Sequence, residues 1–225
     1  CCFSDIEETS PDGDHSCVLS DGSVYCWGLD TAGQIGHGHL SCIGNGYCVN
    51  PHGPSVLNRN IVTFTTGLRH TCAIADDSTA WCWGENDFGQ LGVGDNDDRN
   101  APTQVLLPAG TTPISINAGG HTTCVILDNG TGLCWGKSDY GHLGDGTYNN
   151  RDEPTPISIL PSNRSLVAMD LGAGHACGIL DDGTAHCWGN GTFSSGKSGG
   201  RLGDGSNQSS RFPRSVSLRS GRNAI

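Results

Sequence analysis

Lysine is nearly absent: Lys137 and Lys197 are the only two, and 12 basic residues face 23 acidic ones for a formal charge of −11. Nucleic acid is a poor partner for such a chain, because binding it takes a basic face that releases counterions. An anionic membrane surface asks for the same kind of face. Long apolar runs are missing as well. No window approaches the 18 consecutive apolar residues of a bilayer-spanning helix, and no stretch holds a 3.6-residue apolar spacing over three turns. No basic-then-apolar leader is present, and the first residue is Cys1 rather than Met. The chain therefore reads as processed or as part of a longer polypeptide. A mature lipoprotein also opens on cysteine, but no lipobox precedes this one.

What the chain has in excess is glycine, 35 of 225 residues, and cysteine, 12 in all. Glycine at twice its usual share, without helical periodicity, indicates short strands joined by tight turns. The segment GHACGILDDGTAHCWGN, residues 174–190, occurs four times in recognisable form. Its anchors Trp27, Trp83, Trp135 and Trp188 stand 56, 52 and 53 residues apart. A fixed period near 50 marks a propeller or solenoid. The repeats are expected at about 1–54, 55–102, 103–154 and 155–213, with 214–225 opening a further blade or fraying.

Eight cysteines belong to the repeat. In the first copy a two-residue Asp21-Gly22 turn pairs Ser20 with Ser23, Leu19 with Val24, Val18 with Tyr25 and Cys17 with Cys26. In the other copies the step between cysteines is one longer, which suits three-residue loops such as Asp128-Asn129-Gly130 and Asp181-Asp182-Gly183. Cys72 then faces Cys82, Cys124 faces Cys134 and Cys177 faces Cys187, within disulfide reach. Cys42 and Cys48 flank a loop and form a further candidate pair; Cys1 and Cys2 remain unassigned. Metal is the rival reading, since His15, His70 and His175 each precede a cysteine by two. In the third copy His121-Thr122-Thr123-Cys124 breaks that spacing, whereas the cysteine register survives in all four. Free buried thiols are the other alternative. Disulfides imply an extracellular, cell-surface or luminal compartment, reduced thiols a cytoplasmic one. Four glycosylation sequons, at Asn129, Asn163, Asn190 and Asn207, suit the oxidising alternative.

Overlaid, the copies read Gly-x-x-His-x-Cys, two apolar residues, an Asp/Asn-Gly turn, x-x-Cys-Trp-Gly, then Gly-x-Leu-Gly-x-Gly-Asp and a closing Arg and Pro. Residues 67–102, 119–154 and 172–213 carry this pattern, with a weaker copy from Asp14 to Pro54. It resembles the regulator of chromosome condensation repeat. The resemblance implies an all-β propeller of four-stranded blades, usually seven to a ring. About four blades are present, so the rest come from the same longer chain or from another subunit, and Phe212 to Leu218 look like the first strand of a fifth. The recurring Trp, with Leu91, Leu143, Leu202 and Ile35, is expected to pack between blades. Arg99, Arg151 and Arg211 are expected to pair with Asp95, Asp145 and Asp204.

Three motifs suggest chemistry and fail on context. Residues 191–198 match a phosphate-binding P-loop, but Gly199 and Gly200 follow where a helix should begin. Asp95 to Asp98 lack the central Gly and distal Glu of a calcium loop. No Gly-x-Ser-x-Gly elbow occurs. No cofactor, metal or catalytic residue is expected. The resemblance and the compartment together imply a non-catalytic propeller presenting loops to a protein partner, outside the cell or in a lumen. The distinctive loops are His37 to His52 and Asn190 to Gly200, with His37, His39, Tyr47, His52, Phe193 and Lys197 as candidate contacts. Guanine-nucleotide exchange or other regulation of a small GTPase is one alternative the family implies. Inhibition of a secreted enzyme is another. Ultraviolet-B sensing is disfavoured, because Gly67-Leu68-Arg69-His70-Thr71 carries Leu where Trp is expected.

Overall fold

Hairpin turns dominate the local structure of this chain, whose computed structural model describes residues 8–10, 13–38, 46–49, 57, 59–158, 161, 164–192 and 200–217. Asp21 and Gly22 both take positive φ, 52° and 67°, as the mirror-image turn of a two-residue hairpin requires. The strands it joins, β2 (His15–Ser20) and β3 (Ser23–Leu29), pair in the register read from the sequence, Cys17 opposite Cys26. The next hairpins, β6 (His70–Ala75) with β7 (Ala80–Gly84) and β10 (Thr122–Leu127) with β11 (Gly132–Gly136), close through three-residue loops. So does β14 (His175–Leu180) with β15 (Ala185–Gly189).

Each hairpin is the centre of a four-stranded antiparallel meander. The first strands are β1 (Glu8–Ser10), β5 (Ile61–Thr66), β9 (Pro113–Gly119) and β13 (Leu166–Leu171). The fourth strands are β4 (Tyr47–Cys48), β8 (Arg99–Gln104), β12 (Arg151–Pro156) and β16 (Ser210–Ser215). Neighbouring first strands touch across the axis of the arc: Ser10 Oγ lies 2.7 Å from Thr66 Oγ1, and Ala118 N–H donates to Thr65 Oγ1 at 3.1 Å. The molecule is an arc of four propeller blades.

Two boundary expectations are corrected. Phe212 does not open a fifth blade: it lies in β16, which pairs with β15 as the outer strand of the fourth sheet. Pro102, Pro154 and Pro213, which closed the repeats on paper, sit inside β8, β12 and β16. An outer strand has one unpaired edge, so a residue without an N–H is tolerated there.

The core lies between blades. Cys17, Leu19, Cys26 and Ile35 of the first blade pack against Phe64, Ala73, Ala75 and Trp83 of the second. Cys82, Ile74 and Leu91 then meet Val125, Leu127 and Trp135, and Cys134, Ile126 and Leu143 meet Ala176, Leu180 and Trp188. Each indole buries on the order of 200 Å², which at ~25 cal/mol per Å² is roughly 5 kcal/mol before ordering costs. The three indole N–H groups donate to main-chain carbonyls of the preceding blade, Trp83 to Gln34 at 3.0 Å, Trp135 to Gln90 at 2.9 Å and Trp188 to His142 at 2.8 Å. A hydrogen bond nets about 1 kcal/mol, so burial supplies the energy and the N–H sets the depth and orientation of the ring. Close approach explains the glycines that follow: a Cβ on Gly92 or Gly144 would stand 2.7 or 2.8 Å from the indole nitrogen of Trp135 or Trp188.

Four disulfides cross the hairpins, Cys17–Cys26, Cys72–Cys82, Cys124–Cys134 and Cys177–Cys187, with Cα atoms 4.1–4.2 Å apart. Counting back from each turn puts every pair at a non-hydrogen-bonded site, where antiparallel strands come closest. The first three bridges face the following blade. Cys48 is disulfide-bonded as well. Cys1, Cys2 and Cys42 lie outside the described residues.

Candidate interaction face

Antiparallel meanders put the turns between first and second strands, and the long loops between third and fourth, on one face of the arc. The tight hairpins fall on the other. Two of the long loops, 85–98 and 137–150, are equal in length; those at 30–46 and 190–209 are longer. Both longer loops are pinched at the root. Asp30 N–H donates to Gly46 O at 2.6 Å, and Gly200 N–H donates to Gly191 O at 3.0 Å. The two excursions singled out from the sequence therefore leave the same face.

Of the candidate contacts, Tyr47 stands 53% exposed in β4. His37 tucks its ring 3.8 Å from the Asp30 carboxylate and keeps only 9% of its side chain accessible. Among the described candidates, then, Tyr47 alone presents its side chain outward. His39, His52, Phe193 and Lys197, with most of the P-loop-like segment, lie outside the described residues, as does Asn163. Asn129 is exposed in its hairpin turn, Asn207 is exposed on the loop face and Asn190 is half-buried.

Arg99 pairs with Asp95 at 2.6 Å and Arg151 with Asp145 at 2.7 Å, across their own loops. The third pair is corrected: Asp204 is held by Arg214 at 2.9 Å, while Arg211 lies over the rings of Tyr148 and Phe212. Arg214, helped by the Ser206 N–H, lowers the Asp204 carboxyl to a pKa of about 2. Such partly exposed pairs are worth little in stability. Their role is to hold the root of each loop against its outer strand.

The repeat histidines read from the sequence as structural hydrogen-bonders, but the sequence pattern did not reveal the partners in two networks at the blade joints. His15 Nε2 lies 2.8 Å from Thr71 Oγ1, and that hydroxyl donates to Gln34 O at 3.0 Å. His70, Thr123 and Gln90 repeat the arrangement at 2.8 and 2.8 Å. A threonine that has given its only proton to a carbonyl must accept from the imidazole, so both rings carry hydrogen on Nε2, while Nδ1 of each is buried without a hydrogen-bond partner, as suits a neutral ring. Burial agrees, lowering His15 to about 4 and His70 to about 3. The second network arises where the third copy slips by one residue. Thr122 takes the histidine slot opposite Gly136, and His121 is displaced onto the loop face. There His121 Nδ1 lies 2.7 Å from Glu85 Oε2, and its ring meets Phe88 edge-on at 5.0 Å. Gln90 Nε2 donates to Glu85 at 3.1 Å, and Lys137 Nζ stands 4.6 Å over the Phe88 ring. The interrupted His-x-Cys spacing was the one signal in the sequence that this position differs. No group of three metal-ligating side chains occurs among the described residues.

Radial four-stranded meanders, clamped by an indole at each joint, define a β-propeller scaffold. Family models described as the regulator of chromosome condensation (RCC1) repeat match residues 21–74, 77–126 and 129–179, and again 61–90 and 166–194. The chain belongs to this family. It is 27% identical over 220 residues to the E3 ubiquitin-protein ligase HERC2 of Homo sapiens, covering 97% of the chain and 4% of HERC2. To the ultraviolet-B receptor UVR8 of Arabidopsis thaliana it is 32% identical over 144 residues, 64% of the chain and 32% of the receptor. Its fold superposes on Prp20p of Saccharomyces cerevisiae, described with its binding to Gsp1p and histones, with a TM-score of 0.81 at 22% identity. That match covers 96% of the chain and 51% of Prp20p. The chain thus spans only part of each of these relatives.

Proposed function

We propose that this chain is a non-catalytic protein-interaction module of an extracellular, cell-surface or luminal compartment, a rigid arc within a larger ring that offers its long loops to a protein partner. The observation that carries the reading is the placement of both copy-specific loops, each pinched at its root, on one face of a scaffold braced at every joint. Binding residues concentrate on loops held by rigid elements. The cysteines are what support the compartment. All nine described cysteines are disulfide-bonded, and bonds of that kind persist where the surroundings are oxidising.

Regulation of a small GTPase is the alternative, favoured by the likeness to Prp20p and opposed by the cysteine bridges. The test is quantitative binding to partners captured from the compartment's own milieu. Replacing residues 38–45 or 193–199 by short Gly-Ser links should weaken capture at least tenfold. Charge reversal at Asp76, Asp128 and Asp182 on the opposite face should leave it unchanged. The reverse pattern would place the partner on the hairpin face and sink the assignment.

A further inference from the structure

Three of the four sequons fall within the described residues, and their surroundings differ. Asn129 is the middle residue of the 128–130 turn, exposed on the hairpin face. Its Oδ1 accepts the Thr131 N–H at 2.9 Å, and its Nδ2, the atom a sugar would join, has no protein partner among the described residues. Asn190 is held at the joint of the third and fourth blades. Its N–H donates to Gly174 O at 2.7 Å, and its Oδ1 accepts both the N–H and the hydroxyl of Thr192 at 2.9 Å. The Nδ2 of Asn190 is thereby turned toward Gly174, 4.0 Å from where a Cβ on that residue would sit; His142 Nε2 is 3.5 Å from the same point. Half-buried against Gly174 and His142, Asn190 leaves a sugar ring less room than the exposed Asn129 turn does. Asn207, exposed on the loop face, has space for a glycan too, so Asn129 and Asn190 are the discriminating pair.

We infer that Asn129 carries an N-linked oligosaccharide and that Asn190, with the same Asn-Gly-Thr sequon, stays bare. The inference rests on the oxidising, secretory placement proposed above. In the transfer, Asn129 Nδ2 bonds to the anomeric carbon of a lipid-diphosphate-linked oligosaccharide. The anomeric C–O bond to the diphosphate breaks, the lipid diphosphate leaves with the electron pair, and the amide proton passes to the transferring enzyme's base. Transfer onto the unfolded chain is followed by selection in folding. A glycan on the Asn129 turn projects into solvent, whereas one on Asn190 crowds the Gly174 and His142 side of the blade joint. The Asn129 sugar shields the hairpin face, opposite the long loops.

The native protein, isolated from its source, is alkylated under denaturing conditions without reductant, digested, and treated with a peptide N-glycosidase in ¹⁸O water. The expected result is ¹⁸O-labelled Asp at position 129, unlabelled Asn190, and protected repeat cysteines. Thr131→Ala should remove one glycan's mass and leave the four bridges intact. An unlabelled Asn129 in a chain with protected cysteines, or a label at Asn190, overturns the inference while the compartment stands. Reactive cysteines with no label overturn the compartment and the inference together.

Discussion

His15 and His70 show how one residue type serves as structure here. Each ring bridges two blades through a threonine that is already committed to a carbonyl; His70 has no counter-charge that would favour protonation, and the Asp14 carboxylate beside His15 does not offset its burial. Their pKa values fall from 6.5 to about 4 and about 3 because burial penalises the charged ring. Below pH 6.5 the unfolded chain therefore binds protons that the folded chain refuses. Their contribution to stability is complete above pH 6.5 and is lost progressively as pH falls toward 4 and then 3. His70→Gln keeps an N–H for Thr123 and removes the titration. Urea midpoints measured across pH should show a shallower acid decline in the variant than in the parent; identical slopes would mean that His70 does not titrate on unfolding.

Hairpins are the element that was legible in the sequence, and the reason is local. A two-residue Asp-Gly turn, or a three-residue loop ending in glycine, fixes which residues face each other, so the cysteine pairs and the strand register followed from spacing alone. The outer strands were not legible. Their prolines, and their position with one edge unpaired, erase the alternation that identifies a strand; hence the misplaced fifth-blade strand at Phe212. The partner of Asp204 escaped for a related reason, because the 190–209 loop is longer and brings Arg214 rather than Arg211 to the carboxylate. His121 escaped because a one-residue slip shows in sequence as a broken motif, not as a new contact with Glu85. One hairpin also departs from its siblings: Ser78 takes a φ of 64° where Gly130 and Gly183 take 78°. A β-carbon there costs about 1–2 kcal/mol, offset in part by the entropy glycine adds to the unfolded chain. Ser78→Gly should raise stability by about 0.5–1 kcal/mol in denaturant titration, and a loss would show that the turn is unstrained.

At the scale of the molecule, the two flanks of the arc are unlike its interior. Trp83, Trp135 and Trp188 are fully buried, yet Trp27 is only half so. At the other flank β14 alternates half-buried and buried residues, whereas β6 and β10 are buried throughout. His175, Cys177 and Ile179 are the half-exposed members, on the side where the earlier blades receive their neighbour's indole. These flanks have the chemistry of blade joints and fit an arc that works inside a larger ring. Within the arc, cross-strand bridges brace the hairpins and the long loops share one face. Everything proposed for this scaffold requires those bridges to be present in the native protein. Intact mass after alkylation of the denatured, unreduced chain measures this directly. Cys17, Cys26, Cys72, Cys82, Cys124, Cys134, Cys177 and Cys187 should all stay unmodified until a reductant is added. Alkylation of all eight without reductant would contradict the account.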